Sequence, residues 1–280
     1  MMSRRIFCIL FLLSGIMGIG AQIPDAGEME ELHTLLSEGQ EFFQKASNTE
    51  DETAARILYR QALYRFEAIV EKGRGTNGKL LYNIGNTYYR LGDIGRAILF
   101  YRRAQLLTPA DANLKHNLRY VRSQRIDIIP SRQDSRLFRT LFLWHFSLSP
   151  HVKLFFFIAA FWATCLLTAH TLLQPNRRKR REKIFLALWA GISLMMLVSI
   201  ATDEIRLRTL KDGVITREEV VARKGDGIAY QQSFVDPLHQ GTEFTLRGER
   251  AGWYYIELSD GRRGWIPASA AEMVLPAEDG

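Results

Sequence analysis

Cysteine is almost absent from this sequence, and neither of its two cysteines is placed for chemistry. Cys8 lies near the N-terminus and Cys165 in the middle of the chain, each within an apolar stretch. Neither can cross-link an exposed domain, so we expect no disulfide and no metal site built from cysteines. The chain also offers no thiol positioned to act as a nucleophile.

Groupings of residues that are typical of enzymes are missing as well. The sequence has no nucleophile elbow and no pair of histidines at ligand spacing. The histidines are scattered over different segments: His33, His116, His145, His151, His170 and His239. We therefore predict a protein that is not an enzyme and that holds no metal and no cofactor. The alternative is a peptidoglycan-active enzyme, or a cell-wall-targeted accessory subunit of one.

Basic residues outnumber acidic ones, with a formal charge of +7, but the excess lies in local runs beside apolar segments. This arrangement is typical of membrane topology and not of nucleic-acid binding. Arg4 and Arg5 precede an apolar core at 6–19 and then small residues, which predicts a signal peptide over 1–21. An uncleaved anchor is the alternative, and either version places the following domain outside the cytoplasm.

A membrane hairpin is predicted within 135–202. An interfacial lead-in comes first, and 154–173 and 184–201 are then two apolar spans. The loop between them, 176–183, carries six basic side chains and one acidic one, which favours the cytoplasm. Buried helices of a soluble core would need one polar face, which these spans lack. A sensor or transporter would need charges inside the spans or a cytoplasmic output domain.

The stretch 81–109 follows the pattern of a 34-residue helix–turn–helix repeat. Small residues stand where two helices touch, aromatic residues where space must be filled, and a proline closes the unit. These positions are Leu81, Ile84, Gly85, Tyr88, Ala97, Tyr101, Ala104 and Pro109. The stretch resembles the tetratricopeptide repeat, which implies binding of other proteins. An ordinary amphipathic hairpin is the alternative.

We predict that a helical repeat domain occupies 28–130. Before the strong repeat, Ala62 and Phe66 stand four apart, as Ala97 and Tyr101 do, which indicates a degenerate first repeat with an insertion around 47–55. After the strong repeat, a third helix from Asp111 to about Arg125 is predicted to cap the array.

One face of the repeats is predicted to bind a peptide. Asn83 and Asn117 lie 34 positions apart, at the same place in their repeats, where an amide can hold a peptide backbone. By helical spacing, Tyr82, Asn86, Tyr89 and Arg90 share that face. The alternative is that these asparagines bridge neighbouring helices.

Short strand patterns with turn signals fill 210–276, and Asp260-Gly261 marks a hairpin. Five such strands, among them GIAYQQSF at 227–234, suit a small barrel. Its residues resemble the bacterial form of the Src-homology-3 (SH3)-like barrel, in which a strand tryptophan, a turn glycine and a Gly-Trp-hydrophobic-Pro run recur: Trp253, Gly261 and 264–267.

The same resemblance implies a ligand surface on the barrel. Its predicted members are Trp253, Tyr254, Trp265 and Pro267. Ala270 stands where related barrels carry an aromatic residue of a proline-rich peptide groove, which argues against polyproline binding. The alternative is that the four residues form the core and rim of the barrel.

The order of these parts, with NIGNTYYRLGDIGRAILFYRRAQLLTP, an HNL helix and DGRRGWIP, resembles the BatE-like proteins of the Bacteroides aerotolerance (Bat) operon family. The resemblance implies an envelope protein that works with other Bat proteins, some with von Willebrand factor A domains, in tolerance of oxidative stress.

The sequence as a whole predicts a multi-domain membrane protein: an all-α repeat domain, a two-helix transmembrane hairpin and a small all-β SH3-like barrel. We predict a non-enzymatic adaptor in the bacterial inner membrane with both folded domains on the periplasmic side. The repeat groove would bind a membrane or periplasmic protein, and the barrel a second partner, a peptide or peptidoglycan. Joining two modules on one anchor raises their effective concentration for a shared partner.

Overall fold

The structure is a computed structural model that describes residues 26–72, 77–130, 145, 148–173 and 180–275. The predicted signal peptide, most of the interfacial lead-in and half of the basic loop lie outside these residues. The described helices are α1 (Ala26–Ser47), α2 (Glu52–Glu71), α3 (Gly78–Leu91), α4 (Ile94–Leu107), α5 (Ala112–Ser123), α6 (Pro150–Leu173) and α7 (Arg180–Thr209). The strands are β1 (Asp212–Ile215), β2 (Glu219–Val220), β3 (Leu238–His239), β4 (Glu243–Arg250), β5 (Trp253–Leu258), β6 (Arg263–Pro267) and β7 (Ala271–Met273).

The hairpin of α3 and α4 forms as the sequence pattern predicts. Asn77 begins α3 by accepting a hydrogen bond from the backbone of Leu80 at 2.9 Å. Gly92, with a φ of 87°, ends it in the left-handed conformation that glycine tolerates best. A Cβ on Gly85 would lie 2.6 Å from the ring of Tyr101, so the small residue lets the two helices approach.

The first repeat is a longer hairpin of the same kind. A Cβ on Gly39 would meet the ring of Phe66 at 2.6 Å, which makes this pair the counterpart of Gly85 and Tyr101. Gly39 and Phe66 are 27 positions apart in the sequence, whereas Gly85 and Tyr101 are 16 apart. Most of the extra length of this repeat lies in its two helices, α1 and α2, and only residues 48–51 separate them. Their tips pack together through Tyr59.

Helices α6 and α7 lie side by side and are long and apolar enough to cross a membrane. The qualifying stretches are Val152–Thr171 and Arg181–Ile205. By length and composition alone they agree with the predicted hairpin. Small or polar residues, such as Ala160 and Ser193, are buried between the two helices, as in close helix packing within lipid.

The C-terminal strands form a five-stranded antiparallel sheet in the order β6-β5-β4-β1-β7 and a separate pair, β2 and β3. We call residues 212–275 the β unit. The predicted closed barrel is not formed, since β2 and β3 make a sheet of their own; an isolated bridge joins Arg223, beyond β2, to Trp265 of β6. The predicted strand GIAYQQSF is wrong as well, because it lies in the loop from β2 to β3.

The β unit packs directly on the repeats. Val214 and Val274 are buried in the same core as helices α2 to α5, and Leu210 packs against that core. In the other direction, Ile129, beyond the end of α5, packs against the core of the β unit. The repeats and the β unit therefore form one body, and the chain between them contains the apolar hairpin.

Candidate protein-interaction site

Helices α1, α3 and α5 line one side of the repeats, and we call this side the groove. Between α3 and α5 the groove holds a hydrogen-bonded network. The amide Nδ2 of Asn117 donates to the hydroxyl of Tyr82 at 2.9 Å and to Oδ1 of Asn86 at 3.1 Å. The hydroxyl of Tyr101 donates to the same Oδ1 at 2.7 Å. Three of the predicted groove residues are therefore brought together, and they bind one another across two helices.

Burial stiffens this network. Tyr101 is almost fully buried, and burial is the main reason that its pKa lies above the ordinary tyrosine value, with the neighbouring Tyr82 adding to the effect. Its hydroxyl therefore stays protonated and remains a donor. The two rings lie 5.8 Å apart between centroids. This part of the groove is held in place by hydrogen bonds within the chain.

The remaining predicted groove residues lie on the same side. Asn83 lines a cavity between α1 and α3 together with Leu36 and Gln40. Tyr89 contacts Tyr120 of α5 edge to face, with ring centroids 5.9 Å apart. Arg90 is exposed near the end of α3. The six predicted residues thus share one side of the array, which is the arrangement that helical spacing predicts, while their binding role stays a prediction.

The outer face of the sheet carries an aromatic surface. Trp253 pairs with Pro267 across β5 and β6, and the rings of Tyr255 and Trp265 stack with centroids 5.0 Å apart. The structure brings Trp253, Trp265 and Pro267 to this outer sheet face. It does not bring Tyr254 there, because alternate residues of a strand point to opposite faces and Tyr254 packs against the core. Tyr255, which sequence reasoning missed, takes its place.

Charged residues fix the β unit to the repeats. Glu243 accepts two hydrogen bonds from Arg122, at 2.8 and 2.7 Å. Arg125 and Arg102 lie 3.2 and 3.3 Å from the same carboxylate. Burial by itself raises the pKa of Glu243, but the bonds and charges of these arginines outweigh it and hold that pKa below the ordinary value. Arg102 also pairs with Asp212 at 2.6 Å.

A second contact lies beside the first. Asp127 accepts hydrogen bonds from the backbone N–H of His239 at 2.7 Å and from the hydroxyl of Thr242 at 2.6 Å. Burial works against the charged form, but these bonds hold the pKa of Asp127 below its usual range. The Arg103 guanidinium donates to the carbonyls of Met273 and Val274 at 2.9 and 3.1 Å. Arg122 and Arg125 find their partner Glu243 118 or more positions away in the chain, and no local sequence signal reveals such a contact.

The sequence analysis also missed an ionic cluster between the apolar helices. Lys153 of α6 is 2 % exposed and pairs with Asp203 of α7. His145 lies 3.5 Å from the same carboxylate and 2.7 Å from the hydroxyl of Ser199. Because a charge that is removed from water needs a partner, such pairing fixes how the two helices lie against each other. The predicted spans stopped just short of Lys153 and Asp203, which is why the cluster was not foreseen.

Comparison with known families agrees with the repeat. The family model described as the tetratricopeptide repeat matches residues 78–111, which are α3, α4 and the N-cap of α5. No curated protein and no solved structure matches the chain. The fold and the match together define a helical-repeat protein, and repeats of this type generally mediate protein–protein interaction and are typical of non-enzymatic scaffolds. This confirms the predicted repeat, and the repeat suggests a scaffold for protein–protein interaction.

Proposed function

We propose that this protein is a membrane-anchored adaptor of the bacterial cell envelope. In this role the groove binds a segment of a partner protein, and the outer sheet face binds a second partner, a peptide or peptidoglycan. The tetratricopeptide match at 78–111 and the shared side of the six groove residues support the first part. The three aromatic rings on the outer sheet face support the second, since such rings are frequent anchors of interfaces.

The observation that carries the anchored arrangement is the contact of the β unit with the repeats. Glu243 and its arginines join residues that precede the hairpin to residues that follow it. Two halves that touch in this way must lie on the same side of a bilayer, so the chain between them crosses it an even number of times. Helices α6 and α7 supply two crossings, and the basic loop favours the cytoplasm for the bend. Both halves would then face the periplasm.

The order of modules leads us to propose, further, that the partners are other Bat proteins, including those with von Willebrand factor A domains, and that the complex serves aerotolerance. We also propose that the β unit is related to bacterial SH3-like domains. The Gly-Trp-hydrophobic-Pro run forms β6, and an aromatic surface flanks it, as the resemblance to bacterial SH3-like domains implies.

In-cell photo-crosslinking tests the adaptor role. A photoreactive residue is placed at Asn83 in the groove, at Trp265 on the outer sheet face, and at Tyr64, an exposed position on α2, as the control. We expect distinct protein adducts from the first position, and protein or cell-wall adducts from the second. Identical adduct patterns at all three positions would contradict the proposal.

Topology is tested separately. Protease added to spheroplasts should cut both the repeats and the β unit and spare the segment around 176–183. Protection of either half until the bilayer is dissolved would overturn the anchored arrangement.

A further inference from the structure

The groove has two sections that share one architecture. In the section between α3 and α5, Asn117 faces Tyr82 and Asn86. In the section between α1 and α3, Asn83 faces Leu36 and Gln40. Asn83 precedes Asn117 by 34 positions, and Leu36 and Gln40 precede Tyr82 and Asn86 by 46, the offset that also separates Gly39 from Gly85. Asn83, Leu36 and Gln40 therefore each have a counterpart in the second section.

The two sections differ in their hydroxyl groups. The second contains two phenols, those of Tyr82 and Tyr101, and both bind its amides. In the first, Leu36 stands for Tyr82 and Phe66 for Tyr101, so neither phenol is present. Within the described part of the chain, the side chain of Asn83 makes no hydrogen bond. The amide of Asn83 therefore occupies the position that the amide of Asn117 has in its repeat, but it has no counterpart of Tyr82 to bind.

The first section also contains empty space where the second is filled. A cavity of about 220 Å³ lies between α1 and α3, beside Leu36 and Asn83. Its floor is apolar, formed by Leu32, Ile69 and Leu80. An engineered apolar cavity of about 150 Å³ admits benzene, so this cavity is large enough for an aromatic ring.

The rim of the cavity carries a basic side chain and no acidic one. His33 and Lys79 are exposed and line the opening, and none of the residues that line it is acidic. Two acidic residues of α1 pair with other partners: Glu31 with Lys72, just past α2, and Glu38 with Arg65 of α2. A ligand segment with carboxylates next to its anchor therefore suits this opening.

We propose that the first section of the groove is a receptor for a tyrosine side chain that a partner protein presents within an acidic segment. The ring fills the cavity beside Leu36, and the phenol oxygen accepts a hydrogen bond from the amide of Asn83, as Tyr82 does from Asn117. Acidic residues beside the tyrosine pair with Lys79. This inference rests on the proposed adaptor function and specifies what the groove recognises.

Calorimetric titration of the full chain in nanodiscs with short capped peptides tests the proposal. Acetyl-Asp-Tyr-Asp-amide should bind with saturation, and the alanine version, Asp-Ala-Asp, should not bind. The basic version, Lys-Tyr-Lys, should bind roughly fivefold more weakly, because each exposed charge pair contributes little. Failure of Asp-Tyr-Asp to bind, or equal binding of Asp-Ala-Asp, would overturn the proposal.

Two substitutions exploit the internal comparison. Leu36→Tyr supplies the missing phenol from within, so it should abolish binding of Asp-Tyr-Asp and raise the melting temperature by about 3 °C through the new hydrogen bond. Ser37→Tyr, at the exposed neighbouring position, is the matched control and should do neither. In reverse, Tyr82→Leu should open a second such cavity and raise the stoichiometry from one peptide to two. Undiminished binding by the Leu36→Tyr chain would refute the site.

Particle mass and in-cell crosslinking separate this inference from the proposed function. If Leu36→Tyr turns a dimer into a monomer, the occupant is a second copy of this chain and the partner proposal is wrong. If Leu36→Tyr abolishes peptide binding but leaves all groove adducts in cells unchanged, the tyrosine receptor is wrong while the adaptor function stands. If no adducts form at any groove position, the adaptor function fails, and the tyrosine receptor, which rests on it, fails with it even if isolated peptides bind.

Discussion

The helical half and the β half of the body meet with opposite charges. The helices contribute guanidinium groups, and the β unit contributes carboxylates and carbonyl oxygens. The arginines are Arg96, Arg102, Arg103, Arg122 and Arg125, and the carboxylates are Asp212, Glu243 and Glu272. Asp127 departs from this pattern, since its carboxylate belongs to the helical half and accepts hydrogen bonds from His239 and Thr242 of the β unit.

Because of this segregation, each half depends on the other for the partners of its charged groups. Three arginines around a single carboxylate repel one another once the carboxylate is removed, and a half-buried Glu243 without them would lose its compensation. The halves are separated in the chain by the apolar hairpin, yet each satisfies the charges of the other. Each charge pair should therefore contribute more to the stability of the interface the more deeply it is buried.

The largest effect is expected from Glu243→Ala. The substitution leaves Arg102, Arg122 and Arg125 without their shared partner and should lower the free energy of unfolding by about 3 kcal/mol. Chemical denaturation of the full chain in nanodiscs measures it. Glu249→Ala, on the same strand but exposed, is the control and should change little. Equal losses for the two would show that the cluster does not join the halves.

Gly95→Ala should separate the halves by a different route. A Cβ at this position would lie 2.6 Å from the carbonyl oxygen of Ile215 and 3.0 Å from Cα of Thr216, and backbone cannot swing aside as a side chain can. The expected loss is about 2 kcal/mol. Gly191→Ala, where the added Cβ meets nothing within 4 Å, is the control. Faster amide exchange in β1 of the Gly95→Ala chain would locate the damage; unchanged exchange would argue against a tight contact.

Acid should weaken the interface. Glu243 and Asp127 both have a pKa below the ordinary value in the folded protein, so each contributes stability above its unfolded pKa of about 4, and that contribution is lost as the pH falls through the folded value. Unfolding measured from pH 6 downward should show stability falling below about pH 4. The chain with Glu243→Gln and Asp127→Asn should lose part of this slope. A slope equal to that of the unmodified chain would assign acid sensitivity to other groups.

The smallest effect is expected from Glu272→Gln. This residue pairs with Arg96 at 2.9 Å, but the two side chains remain 35 % and 41 % exposed, and water competes with the pair. The expected loss is about 0.5 kcal/mol, and it should shrink further in salt. A loss as large as that from Glu243→Ala would break the ranking by burial.

The second repeat was foreseeable from sequence because its determinants are local. Gly85, Ala97 and Tyr101 stand at fixed spacing, and caps such as Asn77 act within one turn. The first repeat was harder to predict because its longer helices place the same contacts at a different spacing in the sequence. The pair Gly39 and Phe66 becomes visible only when the two helices are seen side by side.

The candidate sites were foreseeable in part for the same reason. Helical periodicity placed the six groove residues on one side, and strand periodicity, had it been applied, would have exchanged Tyr254 for Tyr255. Neither periodicity could show that the amide of Asn117 donates a hydrogen bond to Tyr82, or that the amide of Asn83 makes no such bond. Those facts depend on which residue of a neighbouring helix stands opposite.

By itself the sequence determined the helical repeat, the two apolar helices and four of the strands, because caps, periodicity and turn residues act over a few positions. Only the tertiary structure decided that the β unit packs on the repeats, that Lys153 and Asp203 pair between the apolar helices, and that one section of the groove is filled while the other is empty. The reason is physical: ion pairs and cavities depend on distances between groups far apart in the chain, and no local pattern encodes those distances.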